Sequence, residues 1–142
     1  MLPSIINGDN HKDNRGILKY NNDFDLSTIK RMYTIENANI DIKRGWQGHK
    51  IEQRWFTVIS GKFEIMVLKI DDWECPVVNI KPTIFEITTE NLDVLHVPSG
   101  YITCIQATIE NSKLVIMSDY ILGEISDEFK FDLNYFDCTK NK

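Results

Sequence analysis

Cysteine is scarce in this chain, with only three residues, Cys75, Cys104 and Cys138, among 142. They do not form the closely spaced pairs that hold a zinc ion. Their odd number also argues against a framework of disulfides, which small secreted domains use to compensate for a small core. The simplest expectation is therefore a cytoplasmic protein with reduced thiols.

Positive charge is also in short supply. The 16 lysines and arginines are outnumbered by 21 acidic residues, which gives a net charge of −5. A general nucleic-acid-binding protein usually presents a basic face, so we expect no nucleic-acid partner. The segment 1–7 lacks the basic region and long apolar stretch of a signal peptide. No apolar run approaches the ~20 residues of a transmembrane helix, so we expect no membrane partner.

Short segments rich in β-branched and aromatic residues dominate the chain. Turn-forming residues separate them, as in an all-β sandwich or barrel. The predicted strands are 29–35, 55–59, 63–70, 83–87, 94–97, 101–107 and 114–118. Helical periodicity is weak, and only 122–129 suits a short helix. We predict a tight hairpin turn at 60–62, one domain over 1–136 and a polar tail over 137–142.

The most informative segment is 44–50, Arg-Gly-Trp-Gln-Gly-His-Lys. In a metal-binding cupin, two histidines one residue apart on a strand point to the same face and converge on one ion. Here Gln47 occupies the first of these positions, and only His49 remains. After the turn 98–100, Thr103 stands where a further histidine ligand would be. We therefore expect no bound transition metal and no cofactor.

The chain resembles the RmlC-like cupins, in particular the nucleotide-sugar 3,4-ketoisomerases of deoxysugar biosynthesis, which are relatives of the dTDP-4-dehydrorhamnose 3,5-epimerases. The resemblance runs in order through segments 13–16, 30–33, 44–50, 52–53, 60–61, 97–100 and 118–120. A subgroup of WxcM-like sugar epimerases and isomerases is similar in having Trp-Gln-Gly-His-Lys. The chain departs from the ketoisomerases at Gln47 and at 102–103, where a Trp-His pair is common.

The resemblance implies a single-domain jelly-roll β-barrel and a homodimer. It also implies a dTDP-linked 4-keto-6-deoxyhexose as substrate, in a pathway that supplies surface polysaccharides such as lipopolysaccharide. Moving a ketone from C4 to C3 requires a base with a pKa near neutrality, and His49 is the residue of the central motif that fits. By resemblance, Tyr33 matches an active-site tyrosine that relays a proton or stabilises an enediolate. Gln47 can orient a sugar hydroxyl or a water but cannot act as a base.

The remaining candidates are substrate-binding residues. Arg15 and Arg44 each precede a glycine, and a guanidinium can donate two hydrogen bonds to a diphosphate; a surface ion pair is the alternative for each. Lys50 follows His49, so a regular strand would point it to the opposite face. Gln53 and Tyr101 are weaker candidates for the same pocket.

His96 and Cys104 lie in apolar strands. His96 either faces the cavity as a second polar group or is hydrogen-bonded at the rim of the barrel. Cys104 has no neighbour in sequence that would lower its pKa, so we expect it to pack in the core rather than act as a nucleophile.

Several functions remain open at this point. The first is a metal-independent 3,4-ketoisomerase. A single-centre epimerase of a nucleotide-linked ketosugar, and a non-catalytic nucleotide-sugar-binding cupin, are the alternatives. A 3,5-epimerase would need a base in place of Gln47 and a tyrosine near Val115 or Ile116, so it is disfavoured. A metal-dependent dioxygenase is disfavoured because its ligands are missing.

Overall fold

The computed structural model describes residues 1–136, and the proposed tail 137–142 lies outside the described residues. The strands are β1 (Ser4–Ile6), β2 (Asp9–Asp13), β3 (Gly16–Tyr20), β4 (Arg31–Ile35), β5 (Lys43–His49), β6 (Arg54–Ser60), β7 (Lys62–Lys69), β8 (Thr83–Thr88), β9 (Val94–Val97), β10 (Tyr101–Ala107), β11 (Lys113–Ser118) and β12 (Glu128–Lys130). Residues 1–136 contain no helical segment with the length and hydropathy of a membrane span.

The strands form two five-stranded antiparallel sheets and one separate hairpin. Sheet I has the order β1-β9-β6-β11-β4, and sheet II has the order β12-β5-β10-β7-β8. The hairpin consists of β2 and β3. Neighbours in each sheet are mostly distant in sequence, and the chain crosses repeatedly from one sheet to the other. The expected all-β cupin architecture is confirmed.

Each of the seven predicted strands corresponds to a strand of the structure, within two residues at either end. The list of predicted strands omitted β5, whose glycines and polar residues break the apolar pattern, and β1, β2, β3 and β12, which are short or mostly exposed and therefore lack a clear alternation of apolar residues. The predicted extent of the domain, 1–136, stays a prediction.

Two local predictions were wrong. Gly61, with φ of 76°, does turn the chain sharply, but β6 and β7 belong to different sheets and do not pair. The turn therefore connects the two layers rather than closing a hairpin. The segment 122–129 is not a helix, because it turns at Gly123 and then pairs as β12 along the edge of β5.

Three apolar clusters account for the packing. The largest includes Phe56 and Leu114 from sheet I, and Phe63 and Ile65 from sheet II, so it joins the two sheets. A second covers the opposite face of sheet II, where Phe136 packs beside Trp46 of β5. A third covers the opposite face of sheet I and includes Trp55 of β6. Apolar side chains therefore pack on the outer face of each sheet as well as between the two sheets.

Candidate active site

A bulge in β5 turns the central motif toward the space between the sheets. Tyr101 pairs with His49 and Thr103 with Gln47, but Ile105 pairs with Arg44, so β5 has one residue more than β10 over this stretch. Directly opposed residues of an antiparallel pair point to the same face. Arg44, which an unbulged strand would point away from Gln47, therefore faces the same side as Gln47 and His49.

Two positions of β5, Gly45 and Gly48, have no room for a side chain, because the neighbouring strand β10 lies very close to them. A Cβ on Gly48 would come 2.2 Å from the carbonyl oxygen of Tyr101 and 2.6 Å from Cα of Ile102. A Cβ on Gly45 would lie 2.8 Å from Cα of Cys104. Gly45 thus permits a close approach of β5 to β10. The thiol of Cys104 is buried among apolar groups, which raises its pKa to about 11 and agrees with a packing role.

The result is a cavity of about 430 Å³ between the two sheets. Its polar and charged lining residues are Tyr33, Thr34, Glu36, Arg44, Gln47, His49, Glu52, Arg54, Tyr101 and Thr103. Sheet I supplies Tyr33 and Arg54, while sheet II supplies Gln47 and His49. A bound molecule would therefore have chemically active side chains on both walls.

The imidazole of His49 is buried, and its two nitrogens have different partners. Nδ1 lies 3.1 Å from Oδ1 of Asp127 and 3.1 Å from Oε2 of Glu52. Nε2 lies 2.6 Å from Nη2 of Arg54. A guanidinium can only donate, so Nε2 must accept, and the ring proton resides on Nδ1 facing the carboxylates. The lone pair of a neutral His49 is thus on Nε2.

Asp127 orients this imidazole from the loop before β12. Its Oδ2 accepts hydrogen bonds from the backbone N–H groups of Ile51 (2.6 Å) and Glu52 (2.9 Å), while its Oδ1 faces His49. Burial by itself would raise the pKa of Asp127, but these hydrogen bonds to the ionised form outweigh it and lower the pKa below its usual range. Asp127 is therefore a carboxylate at neutral pH.

Arg54 is the centre of a second group of contacts. Its Nη2 and Nε lie 2.5 and 3.1 Å from Oε2 of Glu52, and its Nη1 donates to the hydroxyl of Tyr33. Glu52 is held in turn by Ser118, whose hydroxyl donates to Oε1 at 2.5 Å. The guanidinium thus joins the histidine of sheet II to the tyrosine of sheet I.

Tyr33 is a proton donor at neutral pH. Burial raises the pKa of Tyr33 above its usual range, and the charges of Arg54 and Arg31 offset this only in part. The guanidinium of Arg31 lies over the tyrosine ring, 4.6 Å from its centroid. The hydroxyl is therefore protonated and directed toward Arg54 and the cavity.

The geometry of His49, Glu52 and Asp127 has to be considered as a metal site, because one ligand atom from each lies within 4.8 Å of the others. However, the histidine nitrogen in this group is Nδ1, which carries the proton when Nε2 accepts from Arg54. The Arg54 guanidinium also lies 2.5 Å from Glu52 and supplies the positive charge that an ion would provide. The donor set therefore fits a hydrogen-bonded ion pair better than a metal.

Five of the sequence-predicted site residues line the cavity: Tyr33, Arg44, Gln47, His49 and Tyr101. Arg44 is exposed, and its Nε donates to Asn37 at 2.9 Å. Nε2 of Gln47 donates to Glu128 of β12 at 2.6 Å. The hydroxyl of Tyr101 donates to the carbonyl oxygen of Met1 at 3.2 Å, so this residue also fixes the start of the chain.

The other four predicted residues lie outside the cavity. Arg15 is exposed on the β2–β3 hairpin and pairs with Asp13 at 2.7 Å. Lys50 follows the end of β5 and is exposed. The remaining two point away from the space between the sheets.

His96 and Gln53 form an outer pair. His96 is opposite Trp55 in the ladder and stacks on its ring at 4.9 Å. Of the two alternatives that the sequence left open, it does not line the cavity and is instead hydrogen-bonded. Nε2 of His96 lies 2.7 Å from Oε1 of Gln53. The backbone N–H of Gln53 donates to Oδ1 of Asp119 at 2.9 Å. Burial lowers the pKa of His96, which favours the neutral ring that donates to Gln53.

Sequence reasoning missed three residues of the site, namely Glu52, Arg54 and Asp127. Arg54 and Glu52 were detectable in principle, since they lie at or just before the start of the apolar strand β6 and within five residues of His49. Asp127 had no such signal. It is 78 positions from His49 and reaches it only because β12 pairs with β5.

We expect Asp127→Asn to destabilise the protein by about 1.5–3 kcal/mol at neutral pH, because the charged hydrogen bonds to two N–H groups and His49 are lost. The folded-state pKa of Asp127 is depressed, so its contribution is complete above the unfolded value of about 3.9 and is lost as the pH falls through the folded value. Thermal unfolding of wild type and Asp127→Asn at pH values from 7 to 3 measures this difference in stability.

The exposed Asp41→Asn is the matched control for that comparison. The stability gap between wild type and Asp127→Asn should narrow in acid, whereas the control should follow wild type throughout. A gap that stays constant down to pH 3 would contradict the assignment of a depressed pKa to this carboxyl.

Comparison with protein-family models and with curated protein sequences gives no match. Solved structures do match over nearly the whole chain. A histidine-to-asparagine mutant of the 3,4-ketoisomerase QdtA from Thermoanaerobacterium thermosaccharolyticum, in complex with TDP-4-keto-6-deoxyglucose, is 23% identical, with 99% of this chain and 95% of that chain covered and a TM-score of 0.69. A 3,4-ketoisomerase from Helicobacter canadensis is 21% identical, with coverages of 99% and 98% and a TM-score of 0.70.

An epimerase is also similar in structure. The 3'-monoepimerase ChmJ from Streptomyces bikiniensis, in complex with dTDP-quinovose, is 12% identical, with 93% of this chain and 70% of that chain covered and a TM-score of 0.74. These identities are low, whereas the coverage and structural agreement are high. The chain therefore has the RmlC-like cupin fold shared by sugar 3,4-ketoisomerases and epimerases.

Proposed function

We propose that this protein is an isomerase that moves the keto group of a dTDP-linked 4-keto-6-deoxyhexose from C4 to C3 by acid–base enolisation. The observation that supports it most directly is the pairing of His49 and Tyr33 across the cavity, with both bonded to the guanidinium of Arg54. A base and a hydroxyl donor so close together suit a carbon acid next to a ketone. The shared fold with two 3,4-ketoisomerases agrees with this reading.

The reaction follows from the positions of these groups. Nε2 of neutral His49 takes the proton from C3, the C–H electron pair forms the C3=C4 double bond, and the carbonyl π pair moves to O4. Tyr33 relays the O3 proton to O4, and His49 returns its proton to C4 as the carbonyl forms at C3. The net change moves one hydrogen between carbons and one between oxygens, so no oxidant or reductant is required.

Asp127 and Glu52 assist by holding the proton of His49 on Nδ1. As the imidazole takes up the substrate proton, its positive charge develops 3.1 Å from each carboxylate. The low-polarity surroundings strengthen this attraction. These two residues therefore position and stabilise the base, while His49 and Tyr33 contact the reacting atoms.

The lining of the cavity contains groups that can bind a nucleotide-linked sugar. Arg44 is exposed at the lining and its guanidinium has donors that can bind a diphosphate. Gln47 and Tyr101 line the same cavity and can hydrogen-bond to sugar hydroxyls. The thymidine diphosphate part is inferred from the structural neighbour that holds TDP-4-keto-6-deoxyglucose.

A single-centre epimerase is the second candidate, because the site has a specific feature that favours it. His49 comes from sheet II and Tyr33 from sheet I. Inversion at one carbon needs a proton donor on the face opposite the base, and opposed walls provide one. The first step is the same in both reactions, so the fate of the enediol distinguishes them.

To test the reaction, the protein is incubated with dTDP-4-keto-6-deoxyglucose in deuterated water and followed by NMR. We expect the ketone to appear at C3, with deuterium at C4 where the base exchanges with solvent. Retention of the C4 ketone with deuterium at C3 or C5 would support the epimerase instead. Binding without any conversion or exchange would support a non-catalytic sugar-binding protein.

His49→Asn should abolish conversion while leaving dTDP binding in place, since asparagine cannot accept the C3 proton. His11→Asn is the matched control, because His11 is exposed on the β2–β3 hairpin away from the cavity. Calorimetric titration with dTDP measures binding in each variant. Full turnover by His49→Asn would show that another group is the base.

Arg44→Gln is expected to weaken dTDP binding about tenfold, because one charge-assisted contact to the diphosphate is worth roughly 1.5 kcal/mol. Turnover at saturating substrate should change little, since Arg44 does not contact the base or Tyr33. Titration calorimetry and steady-state kinetics measure the two effects separately. Unchanged dTDP affinity would remove Arg44 from the binding site.

We also infer a homodimer. The β2–β3 hairpin pairs with no strand of the two sheets and exposes Ile17 and Leu18, and the edge strand β4 exposes Met32. A second copy covering these groups would bury them and protect an open sheet edge. Sedimentation equilibrium should then give twice the chain mass of 16.6 kDa. A monomer at micromolar concentration would contradict this.

We also propose a cytoplasmic location, with which the free thiols of Cys75 and Cys104 are compatible. The proposed substrate class would serve deoxysugar synthesis for surface polysaccharide, lipopolysaccharide being one such product. The acidic net charge of −5 gives no support to a nucleic-acid partner.

A further inference from the structure

Arg54 contacts both residues proposed to act on the substrate and one of the two carboxylates that assist them. Its Nη2 lies 2.6 Å from Nε2 of His49 and 2.5 Å from Oε2 of Glu52, and its Nη1 donates to the Tyr33 hydroxyl. The side chain is 12% exposed and lines the cavity. A guanidinium has five N–H donors and no acceptor, so every one of these contacts uses a donor.

The contact with His49 has a direct chemical consequence. The lone pair that would take a substrate proton is the same one that accepts the hydrogen bond from Arg54. In this arrangement Nε2 is not available to a C–H group. The histidine can act as a base only after Nη2 has found another acceptor.

A ketone oxygen is such an acceptor. We propose that Arg54 binds the carbonyl oxygen of the substrate, and that this exchange of hydrogen-bond partners uncovers the base. The inference rests on the function proposed above. When His49 takes the adjacent proton, the carbonyl π pair moves to the oxygen, and the resulting enediolate lies against Arg54 and the Tyr33 hydroxyl.

The exchange is favoured by charge. In the ligand-free site the partner of Nη2 is a neutral imidazole nitrogen, whereas in the transition state it is a developing oxyanion. The positive guanidinium attracts a developing negative charge more strongly than it attracts a neutral nitrogen, because Coulomb attraction adds to the hydrogen bond. Arg54 therefore binds the transition state more strongly than the ground state, which is the condition for accelerating the chemical step.

Glu52 limits how far Arg54 must move. It holds Nε and Nη2 of Arg54, and Ser118 fixes its other oxygen at 2.5 Å. Because the guanidinium is planar and rigid, a ketone oxygen that binds beside Nε2 of His49 can take over the same Nη2–H after only a small displacement of the imidazole or of Arg54. The other two arginines near the site are placed differently, since Arg44 is bonded to Asn37 and Arg31 lies over the Tyr33 ring.

This role also predicts selectivity. A nucleotide sugar without a ketone has no strong acceptor to offer Arg54, and His49 stays covered when it binds. A ketosugar should therefore bind more tightly than the corresponding sugar with a hydroxyl at C4, and the difference should depend on Arg54. This is a binding property and can be measured without turnover.

The first experiment measures binding in a His49→Asn background, which keeps the ketosugar unreacted. Calorimetry compares dTDP-4-keto-6-deoxyglucose with dTDP-6-deoxyglucose, which differs from it only at C4, in His49→Asn and in the double variant His49→Asn/Arg54→Gln. With Arg54 present, we expect the ketosugar to bind about tenfold more tightly than the sugar with a C4 hydroxyl. Arg54→Gln should remove this difference and change the affinity for dTDP by less than twofold. An unchanged preference would overturn the proposal.

The second experiment measures catalysis in the wild-type background. Removing one oxyanion donor typically lowers kcat by 10²–10³-fold, so Arg54→Gln should lose about that much in kcat, with KM for the ketosugar raised by up to the tenfold loss of affinity expected from the binding experiment. Arg54→Lys keeps a charge and should regain about tenfold. Wild-type turnover by Arg54→Gln would overturn the proposal. If the wild-type protein converts no ketosugar at all, the proposed reaction is wrong, and the binding comparison still decides the ketone contact.

Folding is controlled for separately. Arg54→Gln leaves Glu52 without its ion-pair partner, so the double variant Glu52→Gln/Arg54→Gln removes both charges and keeps two amides in place.

Nitrogen-15 NMR of labelled histidine reports the hydrogen bond at Nε2 of His49. In the wild-type protein dTDP should leave this signal unchanged and the ketosugar should shift it, whereas a purely structural Arg54 would give no difference between the two ligands.

Discussion

The cavity depends on one buried guanidinium. Glu52 and Asp127 are almost fully buried beside His49, and an uncompensated carboxylate in such surroundings costs several kcal/mol. Arg54 supplies the compensating charge from the facing sheet and joins it to Tyr33. The same contact therefore stabilises the acidic groups, links the two walls and determines which nitrogen of the histidine carries the lone pair.

The position of the histidine depends on β5. Its bulge brings Arg44 onto the same face as Gln47 and His49, and Gly45 and Gly48 allow the strand to lie against β10 with almost no space between them. Larger residues at either glycine would push the strand outward. Since β12 pairs along the other edge of β5, the same strand also brings Asp127 to the imidazole. The close packing of β5 against its neighbours therefore determines where the residues of the site lie.

Polar residues of the sequence acquired different roles according to the face of the strand on which they lie. Arg54 and Gln53 are neighbours, but alternation sends Arg54 into the cavity and Gln53 to the outer surface. His96 shares that outer face and stacks on Trp55. The adjacent residues Gln53 and Arg54 therefore belong to a hydrogen-bonded pair outside the barrel and to an ion pair inside it. Composition alone does not distinguish these two roles.

The sequence by itself determined the all-β class, the seven strongest strands and the central motif with His49, because alternation and turn residues are local properties. It also pointed to Tyr33, Arg44, Gln47 and Tyr101 through their order along the chain. Only the tertiary structure decided that β6 and β7 lie in different sheets, that 122–129 forms an edge strand, and that Arg54 and Asp127 meet the histidine. These outcomes depend on pairing between strands far apart in sequence and on a one-residue bulge, and neither leaves a periodic signal in the residues themselves.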